Sequence, residues 1–65
     1  MDRVWKRMKD MAREMAERGE PLPQKQAEAL IVRFCHEERE ECPPQPALRF
    51  LASEFVAMVE EHTAA

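Results

Sequence analysis

Apolar residues in the first eighteen positions recur with a helical period. Placed at 100° per residue, Met11, Val4, Met15, Met8, Met1, Ala12, Trp5 and Ala16 fill one unbroken arc, and every charged side chain of the segment falls outside it. The pattern predicts a one-sided amphipathic helix over about residues 2–18, with Asp2 as its N-cap and Gly19 as the left-handed residue that closes it. A second period starts near Pro23, a residue whose missing N–H costs nothing in a first turn, and continues to about Glu40 or Glu41. Its apolar arc is Leu30, Phe34, Ala27, Ile31 and Cys35; Val32 lies off that arc, and Glu38 falls inside it, where a charge needs a specific partner. A third period opens at Pro46 and runs to about His62, with Leu48, Leu51, Ala52, Phe55, Met58 and Val59 on one side, a stripe that Val56 widens.

The breaks between these periods coincide with the chain's single glycine and its five prolines, gathered in "GEPLP" at 19–23 and "PPQP" at 43–46. The segments are rich in Ala, Met, Leu, Glu, Arg and Gln and poor in β-branched residues, which favours helix in all three. The expected fold is all-α: one domain over residues 1–65, a three-helix antiparallel bundle with helices at about 2–18, 23–41 and 46–62. Its expected core is Val4, Met8, Met11, Met15, Leu30, Ile31, Phe34, Leu48, Leu51, Phe55 and Val59. A chain of this size buries only about 60% of its unfolded surface and usually needs further stabilisation, from disulfides, a metal or self-association. The third helix offers a route to the last of these. Phe50 and Ala57, seven residues apart, form a second apolar stripe on its other side, which predicts completion of the bundle by a homodimer.

Charge adds a second layer to this picture. The net charge is −3, but residues 1–13 hold Arg3, Lys6, Arg7, Lys9 and Arg13 against Asp2 and Asp10, so a +3 element precedes a −6 remainder. The stretch "FCHEEREECPPQP", residues 34–46, concentrates glutamates where a helix ends. The unpaired carbonyls there make the local field negative and favour cations. A short connection between the first two helices makes them antiparallel neighbours, so Arg3, Lys6, Arg7 and Lys9 arrive at the same end of the hairpin as Glu37, Glu38, Glu40 and Glu41. The acidic run is then the counterpart of "RVWKRMK" in the same chain rather than a lure for an outside partner.

Most chemistry-bearing constellations are missing. Cys35, His36, Cys42 and His62 are the only soft ligands and lack the paired spacing of a zinc site, so no metal or other cofactor is expected. One Ser, one Thr and no Tyr leave little for nucleophilic catalysis, and Cys42 stands between Glu41 and Pro43, where negative charge opposes a thiolate; no enzyme activity is expected. "KQAEAL" followed by "PP" and "LA" faintly resembles the first helices of winged-helix repressors, but the apolar registers differ and no separate recognition helix follows "LASEF". Nucleic-acid binding through Arg3, Lys6, Arg7, Lys9 and Arg13 remains the alternative reading, opposed by the acidic remainder. No apolar run approaches the ~20 residues of a membrane span, and the charged start together with only two cysteines predicts a cytoplasmic, reduced setting. The expected function is that of a small non-enzymatic regulator, adaptor or inhibitor that binds a protein partner and itself. Its expected contact residues are Val32, Phe50, Ala57 and Trp5.

Overall fold

A computed structural model describes residues 1–64. It contains three helices and, among the described residues, no strand: α1 (Asp2–Arg18), α2 (Gln24–Glu37) and α3 (Gln45–Ala64). The helices pack against one another as a three-helix bundle in which α3 forms the larger contact with each of the other two. No helix is long and apolar enough to cross a membrane.

Helix ends follow the backbone's need to satisfy its own donors and acceptors. The N-cap of α1 is Met1, not Asp2: Trp5 N–H donates to the Met1 carbonyl at 2.8 Å. Asp2 instead lies in the first turn, where its charge complements the helix field. At the other end Gly19 adopts φ 70°, its N–H donating to Ala16 and the N–H of Glu20 to Met15, which together close the helix as a Schellman turn. Pro23 is the N-cap of α2, as its lack of an N–H permits, and Ala27 N–H donates to its carbonyl at 3.0 Å. Pro44 plays the same part for α3, accepting from Leu48 at 2.8 Å, so that helix begins one residue before Pro46 and continues past His62.

The largest departure from the sequence pattern is at the end of α2. The apolar period suggests a helix to residue 40 or 41, whereas the structure stops it at Glu37. Glu38 N–H still bonds to Phe34, but Arg39 turns to φ 56°, its N–H reaches the His36 carbonyl at 3.2 Å, and Glu40 N–H reaches Cys35 at 2.8 Å. This is the same Schellman closure as at Gly19, built on an arginine. The reversal explains Glu38: it caps the helix at its rim, half-buried, and does not enter the core.

The core matches the three stripes. Val4, Met8 and Met15 from α1, Ile31 and Phe34 from α2, and Leu48, Phe55 and Val59 from α3 are buried as expected, while Met11, Leu30 and Leu51 are only partly covered. Ala12, Ala27, Cys35 and Ala52 complete the interior, and Leu22, from the α1–α2 connection, joins it as well. The rings of Phe34 and Phe55 meet with centroids 6.2 Å apart and planes tilted at 45°, within the separation at which aromatic pairs attract.

The two Schellman turns give a matched pair of tests. Gly19 has nothing within 4 Å of where a Cβ would sit, so the Gly19→Ala variant should lose only the left-handed preference, about 1 kcal/mol in chemical denaturation. Arg39→Gly relieves the same constraint in reverse and should gain about 0.5–1 kcal/mol. Equal and opposite insensitivity, with neither variant moving the midpoint, would contradict the left-handed geometry at both positions.

Candidate interaction surfaces

The charged end of the hairpin is organised by one side chain. Arg7 leaves α1 at the border of its apolar arc, and its Nη2 donates to Glu37 Oε1 at 2.8 Å while Nη1 donates to Glu38 Oε2 at 3.0 Å. The guanidinium plane also covers the Phe34 ring, with Cζ 4.5 Å from its centroid. Phe34, Glu37 and Glu38 stand at i, i+3 and i+4 across the final turn of α2 and its cap, so a single arginine reads one face of that turn. One turn earlier on α1, Arg3 Nε donates to Glu40 Oε2 at 3.3 Å and lies 3.9 Å from Glu38. The Met1 ammonium is 3.1 Å from Glu40 Oε1, a buried oxygen with no well-aligned hydrogen bond. Arg33 holds the second oxygen of Glu37 at 3.0 Å from within α2.

These contacts set the local electrostatics. Hydrogen bonds from Arg7 and then Arg33 hold the Glu37 carboxyl below its ordinary range, and the terminal ammonium followed by Arg3 does the same for Glu40. The Arg7 guanidinium is shifted upward, first by Glu37 and then by Glu38. Cations placed opposite the last carbonyls of α2 also answer the helix field that the glutamates oppose. Glu41, grouped with this cluster by sequence, is exposed and has no ion pair among the described residues.

The basic residues named as an alternative nucleic-acid surface are largely spent on this chain. Arg3 and Arg7 face the glutamates, and Lys6 and Arg13 flank Asp10 at 3.9 and 3.4 Å. Lys9 has no ion pair among the described residues and lines, with Asp10, Arg13 and His62, a shallow depression of about 140 Å³.

The apolar candidates remain outside. Phe50 is 68% exposed, Val32 44% and Trp5 37%, with Ala57 also on the surface. The structure adds one feature that the periodicity did not reveal, an open groove of about 610 Å³ between the α1–α2 connection and the second half of α3. Pro21, Leu22, Pro23, Val56 and Val59 form its apolar walls, with Glu20 and Glu60 at its sides. The sequence signal for it was the isolated Leu22 between two prolines, a stiff apolar segment inside an otherwise polar connection. Hydroxyl groups are locally engaged: Ser53 donates to the Arg49 carbonyl at 3.1 Å and Thr63 to Val59 at 2.8 Å. Among the described residues no three His, Cys, Asp or Glu side chains converge as a metal site.

The depressed carboxyls make stability depend on acid. A carboxylate whose folded-state pKa lies below its unfolded value stabilises the fold above that unfolded value, and this contribution is lost as pH falls through the folded one. The melting temperature should therefore fall on acidification below about pH 4.5, the ordinary carboxyl value here. In Arg7→Gln the neutral-pH melting temperature should be lower and its drop between pH 6 and pH 3 shallower; parallel curves for the two proteins would show that Arg7 does not hold the carboxylates. Compared with known proteins, the chain matches no family model, no curated protein and no solved structure.

Proposed function

We propose that this chain is a small non-enzymatic protein-binding regulator, adaptor or inhibitor that works through its helical surfaces in a cytoplasmic setting and dimerises through α3. The observation that carries this reading is Phe50, a phenylalanine left 68% exposed on a helix whose other face already supplies the core residues Leu48, Phe55 and Val59. Full burial of such a side chain is worth about 1.5–3 kcal/mol, and a two-fold interface uses each contact twice. Ala57 on the same line leaves room for a second helix to approach closely, while Val32 and Trp5 supply further apolar surface on α2 and α1. The reading also draws on the charge arrangement: Arg3 and Arg7, two of the residues of the alternative nucleic-acid surface, are paired with the glutamates of the same chain and not free for phosphate.

The decisive comparison is sedimentation of the wild type and Phe50→Glu. The wild type should sediment as a dimer and the variant as a monomer with unchanged helical circular dichroism. A monomeric wild type, or the same mass for both, removes the dimer from the proposal. Retention on a heparin or DNA resin at about 0.1 M salt separates the nucleic-acid alternative: an acidic protein-binding module should flow through, and firm retention would favour the other reading.

A further inference from the structure

The groove between the α1–α2 connection and the second half of α3, about 610 Å³, has the size of a binding site and lies apart from Phe50, which does not line it. Leu22 from the connection and Val59 from α3 are themselves almost buried, at 5% and 3% exposure, so the bottom of the groove is continuous with the core. Pro21 and Pro23 stiffen the connection on either side of Leu22. Hydrogen bonds fasten both its ends: Glu20 N–H donates to the Met15 carbonyl at 2.9 Å, and Ala27 N–H donates to the Pro23 carbonyl at 3.0 Å. The shape is therefore held before anything binds, which lowers the ordering cost of binding.

Charge at the border selects what can enter. The charged residues that line the groove are Glu20 and Glu60, and among the described residues no Lys or Arg lines it. Arg18 lies 3.5 Å from Glu20, whereas Glu60 is exposed and has no ion pair among the described residues. Beyond Arg49, α3 carries Glu54, Glu60 and Glu61 and neither Lys nor Arg, so the helix that forms this side is acidic. The Thr63 hydroxyl is already engaged, donating to the Val59 carbonyl at 2.8 Å.

We propose that this groove docks a short segment of a partner protein in which adjacent apolar residues are flanked by Lys or Arg. The apolar side chains seat against Leu22, Val56 and Val59, and the flanking cations meet Glu60 and, in exchange with Arg18, Glu20. The site adds to the dimer face and rests on the protein-binding reading only in taking a protein as the occupant. A peptide suits it better than a small molecule, because the groove is open along the surface and small-molecule sites enclose most of their ligand. Nucleic acid and an anionic lipid surface both meet carboxylates here and are repelled.

The test titrates the isotope-labelled full chain with the capped peptide acetyl-Lys-Leu-Phe-Lys-amide at low salt and follows backbone amide chemical shifts. Saturable shifts should concentrate at residues 19–23 and 56–64. Glu60→Gln should weaken binding by about 2–5-fold, the range of one exposed ion pair, and Glu60→Lys should weaken it further. The same peptide with Glu in place of both Lys should bind more weakly by on the order of tenfold, a gap that about 1 M salt narrows. Phe50→Glu should bind the lysine peptide as the wild type does, so failure of the dimer and failure of this site are read separately. Shifts centred on Val32 or Phe50, equal binding of the two peptides, unchanged affinity in both Glu60 variants, or no saturation up to about 10 mM overturns the proposal. So does a change of sedimentation mass in Glu60→Lys relative to the wild type, which would place a second copy of the chain on the groove.

Discussion

The placement of Arg7 is the constraint on which the rest of this small fold depends. Its guanidinium lies over Phe34, a ring at the heart of the core, and at the same time bonds to Glu37 and Glu38 at the rim of α2. One side chain thus ties the apolar packing to the charge pairing and fixes how far α1 slides along α2. Arginine suits this position better than lysine would: its planar fork serves two carboxylates and an aromatic face together, which a single ammonium cannot. The helix end that results is over-determined. Arg39 accepts a left-handed backbone there, and Arg3 holds Glu40 one turn away.

This internal neutralisation has a consequence for function. A glutamate cluster beside a basic helix suggests, as bare composition, either a docking site for a cation or a phosphate-binding face. Once the two halves meet, Arg3 and Arg7 pair with the glutamates at the end of α2, and Phe50, Val32, Trp5 and the groove beneath Leu22 are apolar features left on an otherwise charged surface. In the proposed protein-binding reading these apolar features would contribute by burial and leave specificity to the shape of a few side chains.

Periodicity carried most of the fold because each helix buries a single stripe, and stripes at i, i+3 and i+4 survive any reasonable choice of ends. Val4, Met8, Met15, Ile31, Phe34, Leu48, Phe55 and Val59 could all be assigned from spacing alone. The pairing of Arg3 and Arg7 with these glutamates was legible for the same reason, since a short connection forces antiparallel neighbours, whereas Lys6 turns to Asp10 and Lys9 makes no ion pair among the described residues. What spacing could not show was where α2 stops. A helix can end on any residue that tolerates φ above zero if the closing bonds are good enough, and Arg39 carries no glycine-like signal in its identity. From that one missed end follow Glu38, which caps the helix rather than continuing its arc, and Glu41 counted among partners it does not meet. Leu22 escaped for a different reason: it lies in a connection, where no period exists to place it against α3.

The account stands on Arg7 and Glu38 acting as a unit, and a double-variant comparison addresses that directly. Arg7→Gln, Glu38→Gln and the double variant would be unfolded thermally at low salt and at about 1 M salt, where exposed pairs are screened. At low salt the double variant should lose clearly less stability than the two single losses combined, and the difference should shrink at high salt. Strictly additive losses at low salt would contradict the account, because they would mean that the guanidinium and the carboxylate contribute independently of each other.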